Sequence, residues 1–183
     1  MQRKTWLELG HYCKENQLVL NTNSIYFYII VIAVLLTFLT NFGFSSLLEP
    51  FLFLKSGGSS FNPSFNNTYL ISHEWWRLIT PTFLHFSITH LIFNCLWIYI
   101  LGSKIEIIDG KNIFLTLFLI TGISSNLGQY FWSANYLFGG LSGSVYGLLG
   151  YCFILDLDCL LYTSPSPRDV EECRFAGSAC KKN

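Results

Sequence analysis

Apolar residues occur in four uncharged runs that are separated by polar or glycine-rich segments. Because the hydrocarbon core of a bilayer is about 30 Å thick, a helix needs roughly 20 apolar residues to cross it. The pattern therefore predicts four membrane-spanning helices, at residues 25–44, 82–102, 113–132 and 142–155. The stretch 112–155 has no charged side chain and is too long for one helix, so it holds two crossings.

The segments between these runs have distinct characters. Thr80 and Pro81 are typical of a helix start, as N-cap and first helical residue, and predict where the second helix begins. The long segment 45–80 is predicted to lie outside the membrane. Within it, residues 73–77 (HEWWR) are amphipathic and aromatic, which places them at the level of the lipid headgroups.

The composition agrees with a protein that has the lipid bilayer as its partner. The chain is 51% hydrophobic and only 12% charged, whereas about 25% of an ordinary soluble domain is charged. The net charge of zero gives no indication of a nucleic acid partner. The six cysteines show no zinc-ligand spacing, so we expect no metal site. The predicted fold class is all-α, a polytopic transmembrane helix bundle.

Basic residues indicate the orientation of this bundle. Arg3, Lys4 and Lys14 precede the first apolar run, and Lys104 and Lys111 lie between the second and third. By the positive-inside rule the N-terminus and the turn near these two lysines face the cytoplasm. The predicted organisation is therefore a short cytoplasmic segment over residues 1–24 and a transmembrane domain over residues 25–157.

The last part of the sequence, residues 158–183, differs from the rest. It is polar, rich in proline and serine at its start, and lacks helical periodicity. Such a composition is typical of a disordered tail. Its segment CLLYTSPSPRD also resembles the translation of a sequencing-library adapter, so we interpret 158–183 as a non-native tail that is excluded from the fold.

A serine set among glycines is the principal candidate for chemistry. Ser142 occurs in the sequence GGLSG, at the predicted start of the fourth helix. Gly140 lets the backbone turn sharply and approach a substrate closely. A helix N-terminus also offers N–H groups and a positive dipole end to a developing oxyanion. Gly143, Gly147 and Gly150 form a small-residue face on which another helix can pack.

Three polar residues lie in the second apolar run, within TFLHFSITHLIFN. His90 and Asn94 are four residues apart and share one helix face, whereas His85 is about 140° away around a helix. Polar side chains in a span normally face the bundle interior. For any one of them alone, a hydrogen bond to a neighbouring helix is the favoured explanation. A second alternative is a transport path lined by these three residues.

The two motifs together, HFSITHLIFN and then GGLSGSVYGLLGY, resemble the rhomboid intramembrane serine proteases of bacterial type. The resemblance covers about residues 25–157. It implies that Ser142 is the nucleophile, that His90, Asn94 and the Ser142 N–H form the oxyanion hole, and that no cofactor is used. The residues that support the site are then His85, Tyr146, Gly140 and Gly143. Trp76, Arg77 and Glu106 also match family positions.

The resemblance also implies what this sequence lacks. Rhomboids use a Ser–His dyad whose histidine lies on a sixth span in an A-H-x-x-G-x-x-x-G pattern. The four histidines here are at positions 11, 73, 85 and 90, and none of them matches that position. We therefore expect four of the six core helices, a glycine face on the fourth helix left without its partner, and a chain that is inactive as written.

The implied function of the parent protein is intramembrane serine endopeptidase activity on transmembrane protein substrates in the bacterial inner membrane. The alternative is a catalytically inactive rhomboid-like membrane protein that binds transmembrane clients.

Overall fold

A computed structural model describes residues 22–55, 63–133 and 135–163, with side chains through residue 155. Over these residues the chain is helical and contains no strand. This confirms the predicted all-α class. Four long α-helices organise the fold, namely α1 (Ile25–Leu39), α2 (Ile88–Ile108), α3 (Lys111–Ser133) and α4 (Ser142–Thr163).

Helix α1 ends at Leu39, five residues before the predicted end at residue 44. The apolar run continues, but the backbone does not, because Asn41, Phe42 and Gly43 all have positive φ angles of 48°, 53° and 93°. L-residues with this conformation cannot extend a right-handed helix. The Gly43 position also lies against the ring of Phe86, where a Cβ would be 2.5 Å from Cδ1.

Helix α2 begins at Ile88, so the predicted start at residue 82 is wrong. Thr80–Phe83 forms a single 3₁₀ turn with Pro81 at its start, and the chain then extends before α2. The N-cap of α2 is Ser87, whose Oγ accepts a hydrogen bond from the backbone N–H of His90 at 3.3 Å. The Thr80 hydroxyl caps nothing. It is buried without a hydrogen-bond partner among the described residues.

The connection between α1 and α2 is built from short helical turns around a buried arginine. Arg77 is 2% exposed. Its Nε donates to Glu74 Oε2 at 2.6 Å and its Nη2 donates to Glu49 Oε1 at 3.0 Å. Its Nη1 donates to the carbonyl oxygens of Glu49 and Leu52. Arg77 therefore joins distant parts of this connection, and the predicted placement of residues 73–77 at the headgroup level stays a prediction.

Small side chains let the first three long helices approach one another. Gly102 of α2 lies against both Tyr26 and Phe114, since a Cβ at this position would be 2.7 Å from the Tyr26 Cβ and 3.1 Å from the Phe114 ring. Glu106, also on α2, accepts a hydrogen bond from the Tyr26 N–H at 3.0 Å. This bond satisfies one of the N–H groups that the start of α1 leaves without an intrahelical acceptor.

By length and hydropathy, α2 and α3 are candidates to cross a membrane, whereas Ile25–Leu39 and Ser142–Leu155 are shorter apolar helices. The other two predicted crossings stay predictions.

Two compact units divide the chain, Met1–Tyr151 and Cys152–Asn183. The second is helical through Thr163, beyond the predicted boundary at residue 158. The predictions for residues 1–21 and 164–183 lie outside the described residues.

Candidate functional site

The backbone before Ser142 makes a tight turn that brings it against the segment before α2. Gly140 has a φ angle of +132°, a conformation that favours glycine. Its N–H donates to the carbonyl oxygen of Pro81 at 3.1 Å. Gly139 has no room for a side chain either, since a Cβ would be 2.7 Å from the Leu84 Cβ. Leu141 then starts α4 by accepting from the Val145 N–H at 2.9 Å, which makes Ser142 the first helical residue.

This turn places Gly140 directly beside two of the predicted site residues. A Cβ at Gly140 would be 2.6 Å from Cε1 and 3.1 Å from Nε2 of His90, and 3.6 Å from Nδ2 of Asn94. Asn94 is buried, while His90 is half-buried. The missing side chain of Gly140 therefore creates the space in which polar atoms from α2 meet the start of α4.

His85 joins this group, although it lies outside any helix. Its ring centre is 5.2 Å from that of His90 and the two rings meet edge to face. Its Nε2 is 3.1 Å from the Asn94 Nδ2 and accepts from the Leu141 N–H at 3.4 Å. The predicted separation of His85 from His90 and Asn94 is wrong, because it required one continuous helix and α2 begins only at Ile88.

Helix α3 packs against the first turns of α4 through small residues. The Gly143 position contacts Ser125, and the Gly147 position contacts Thr121. Ser144, which is fully buried, donates a hydrogen bond to the Phe118 carbonyl oxygen at 3.2 Å. The prediction of an unpartnered glycine face is therefore wrong for its first two positions, and Gly150 alone of the three has nothing within 4 Å among the described residues.

Two further predicted residues, Ser142 and Tyr146, lie in the first turns of α4. Ser142 is half-buried, and Tyr146, one turn later, is 73% exposed. Among the described residues, no group of three histidine, cysteine, aspartate or glutamate side chains is arranged to hold a metal ion.

Sequence reasoning missed three contributors to the site. Thr37 of α1 lies with its Oγ1 3.5 Å from the His85 Nδ1, and the backbone of Pro81 and of Leu141 supplies the two hydrogen bonds described above. Thr37 was detectable as a hydroxyl within an apolar run. The two backbone contacts could not be predicted from residue type, because nearly every residue has the same backbone N–H and carbonyl groups.

Comparison with known proteins finds a family model and curated relatives that match part of this chain. The family model described as Rhomboid domain matches residues 72–168, which is more than half of the chain. The chain is 36% identical over 104 residues to rhomboid protease GluP of Bacillus subtilis, covering 57% of this chain and 19% of that protein. It is 39% identical over 92 residues to rhomboid protease GlpG of Serratia proteamaculans, covering 50% and 32% respectively.

A further relative is rhomboid protease GlpG of Yersinia pestis, which is 42% identical over 80 residues, covering 43% of this chain and 28% of that protein. The chain thus spans less than half of the length of these relatives. On the family match and these identities, the chain belongs to the rhomboid family of intramembrane proteases.

Proposed function

We propose that this chain carries the nucleophile and the oxyanion hole of a serine endopeptidase that cleaves transmembrane protein substrates in the bacterial inner membrane. The observation that carries the proposal is the contact of Gly140 with His90 and Asn94, immediately before Ser142 at the start of α4. It brings two nitrogen-bearing side chains of α2 to the turn that leads directly into Ser142 and the N-terminus of α4.

Each of these groups can take a specific role in acyl transfer. The Ser142 Oγ attacks the carbonyl carbon of the scissile peptide bond and forms a tetrahedral intermediate. The Ser142 N–H belongs to the first turn of α4, whose N–H groups have no intrahelical acceptor. Together with Asn94 Nδ2 and the His90 ring, it can donate to the oxyanion. The C–N bond then breaks, the amine leaves with a proton, and water hydrolyses the acyl-serine ester.

A general base must accept the Ser142 proton, and His85 is unsuited to this task. Its Nε2 is occupied by the Leu141 N–H and its Nδ1 faces the Phe83 carbonyl oxygen at 3.2 Å. Protonating Nε2 would break its bond with Leu141 and place two donors together. A serine without a positioned base is a weak nucleophile. We therefore propose that the base is a histidine on a helix outside these 183 residues, and that this chain alone does not hydrolyse peptides.

A chimera tests the proposal. Residues 72–155 replace the matching segment of the Bacillus subtilis rhomboid protease GluP, and cleavage of a transmembrane reporter is measured in liposomes. We expect cleavage that Ser142→Ala abolishes. The matched control is Ser144→Ala, two residues further along α4, which removes a hydroxyl bonded to α3 and leaves cleavage intact. We expect Asn94→Ala to lower kcat about 100-fold or more, as for loss of one oxyanion donor.

Two outcomes would contradict parts of the proposal. Cleavage that survives Ser142→Ala would exclude Ser142 as the nucleophile. Cleavage by the purified 183-residue chain itself would show that a base lies within it. A correctly folded chimera that never cleaves, together with capture of a transmembrane segment by the chain, would favour the alternative function of a client-binding rhomboid-like protein.

A further inference from the structure

A hydrogen bond joins α4 to the far end of α2. The Tyr151 hydroxyl of α4 donates to Asp109 Oδ2 at 3.0 Å. Asp109 is the C-cap of α2, and its N–H donates to the Ile105 carbonyl oxygen at 2.8 Å. Gly110 follows with a φ angle of +92°, and α3 begins directly after it. The bond therefore ties α4 to the tight turn between α2 and α3.

The Asp109 carboxylate lies at an electrostatically unfavourable place for α2. The C-terminal end of a helix carries a partial negative charge, which repels a carboxylate. A hydrogen bond to a charged acceptor is stronger than one between neutral groups. Asp109 and Tyr151 are both half-buried, so water competes less for their bond. The Tyr151 hydroxyl thus supplies a donor that offsets the repulsion.

The lengths of the two helices show why a tyrosine suits this position. Along α2, Asn94 and Asp109 are 15 residues apart, which corresponds to about 22 Å of helix. Along α4, Ser142 and Tyr151 are 9 residues apart, which corresponds to about 14 Å. A long side chain with a hydrogen-bond donor at its tip can cover the difference.

This bond restrains α4 relative to a different helix from the one that its first turns contact. Gly143, Ser144 and Gly147 pack on α3, whereas the proposed oxyanion donors lie on α2. The start of α4 meets α2 at Gly140. The Tyr151 hydroxyl adds a second and directional restraint at the opposite end of α2.

We propose that Tyr151 is a positioning residue. Its hydrogen bond to Asp109 fixes the position of α4 along α2, and with it the position of Ser142 relative to Asn94. The role in catalysis rests on the proposed function. The coupling between Tyr151 and the start of α4 is measured without any hydrolysis.

A single NMR signal reports on the start of α4 in the full 183-residue chain. Leu141–Ser142 is the only leucine–serine pair in the sequence, so carbonyl-¹³C leucine combined with ¹⁵N-serine in detergent micelles isolates the Ser142 amide. Tyr151 is about 14 Å further along the helix, too far for its hydroxyl to affect this signal directly. A change in the signal therefore reports a movement that the bond had prevented.

Four variants separate the hydrogen bond from other effects. We expect Tyr151→Phe, which removes only the hydroxyl, to shift the Ser142 amide signal or split it in two. Asp109→Leu removes the acceptor and should change the signal in the same way. Asp109→Asn keeps an oxygen that can accept the bond, so its signal matches that of the unmodified chain. The matched control is Tyr130→Phe, which leaves the signal unchanged, since the Tyr130 ring packs on other rings such as that of Phe53.

The chimera that carries residues 72–155 in GluP tests the consequence for catalysis, because it contains both partners of the bond. Misplacing a reacting group by about 1 Å can lower a rate about 100-fold. We expect Tyr151→Phe and Asp109→Leu each to lower kcat about tenfold or more, while KM changes less than about twofold. Asp109→Asn should retain most of kcat, and the double variant Tyr151→Phe/Asp109→Leu should be no slower than either single variant.

The outcomes separate this inference from the proposed function. A Ser142 amide signal that is the same in Tyr151→Phe, in Asp109→Leu and in the unmodified chain would overturn the inference. Equal changes in Asp109→Asn and Asp109→Leu would overturn it as well. If Tyr151→Phe fails to fold, the two Asp109 variants decide, since only one of them offers an acceptor. A chimera that never cleaves contradicts the protease proposal alone, because the NMR comparison stands without it.

Discussion

Substitution of Gly140 by alanine tests the geometry of the site at its narrowest point. The new Cβ would lie 2.6 Å from His90 Cε1, whereas carbon atoms pack at about 3.5–4.0 Å. The His90 ring must therefore move by about 1 Å, or the turn before Ser142 must open. The backbone adds a second cost, because a φ angle of +132° is rarely adopted by residues with a Cβ.

The expected loss of stability is the sum of two costs, one from the backbone conformation and one from the close contact with His90. A side chain forced into a sparsely populated backbone region costs about 1–3 kcal/mol. Overpacking by one carbon atom in a close contact costs about 1–3 kcal/mol more. We expect Gly140→Ala to lower the free energy of unfolding by about 2–6 kcal/mol, a large fraction of the stability of a typical domain.

The assay is SDS titration of the full chain in mixed micelles, with unfolding followed by tryptophan fluorescence. Gly150→Ala is the matched control, because Gly150 lies in helix α4 and a methyl group added there would meet no described atom of another element within 4 Å. It should be neutral or stabilising by up to about 1 kcal/mol, since alanine is the better helix former. Equal stability of the two variants would refute the close contact between Gly140 and His90.

Three further predictions concern the elements that support the site, each measured by the same titration. Arg77→Met removes one of the two ion-pair partners of Glu74, since Lys55 remains at 2.6 Å, and we expect a loss of about 1–3 kcal/mol. Burial would raise the pKa of Glu74, but hydrogen bonds and charges from Lys55 and Arg77 outweigh it and hold that pKa below its ordinary 4.5. Stability from this carboxylate is therefore complete above pH 4.5 and lost as the pH falls through the lowered pKa; Glu74→Gln should remove this pH dependence. Asn126→Leu deletes the bond that its Nδ2 donates to the Leu78 carbonyl oxygen at 2.8 Å, and we expect a loss of about 1–3 kcal/mol. An Asn126→Leu variant as stable as the unmodified chain would contradict the structural role of this amide.

The existence and order of the long helices could be predicted from the sequence, because runs of apolar residues identify them directly. Their ends could not. The apolar run of α1 continues to Phe44, yet left-handed conformations at Asn41 and Phe42 stop the helix first. Thr80 and Ser87 are both of a residue type that caps helices, and the structure uses Ser87 for α2.

The sequence proposes which residues form the candidate site, but it did not give their geometry. The motifs marked Ser142, His90 and Asn94, and the family match agrees with the motifs as a whole. The position of His85 was not predictable from helical periodicity, because it lies before α2 and reaches Asn94 only through the extended segment. The hydrogen bond of the Leu141 N–H could not be predicted from the sequence either, since nearly every residue type offers the same N–H.

The loop between α1 and α2 shows a different limit of prediction from the sequence. Its aromatic and charged residues predict an interfacial segment, which stays a prediction. What the sequence did not indicate is that Arg77 is buried and paired with a residue as distant as Glu49. Ion pairs between residues far apart in the chain depend on the folded path, which residue spacing alone does not specify.

The most direct measurement of the central claim is the location of a covalent adduct. The chimera that carries residues 72–155 in GluP is treated with a fluorophosphonate, digested, and analysed by mass spectrometry. We expect one adduct, on the peptide that contains Ser142, and its loss in Ser142→Ala but not in Ser144→Ala. An adduct on another serine, or its absence from a chimera that cleaves its substrate, would contradict the assignment of Ser142 as the nucleophile.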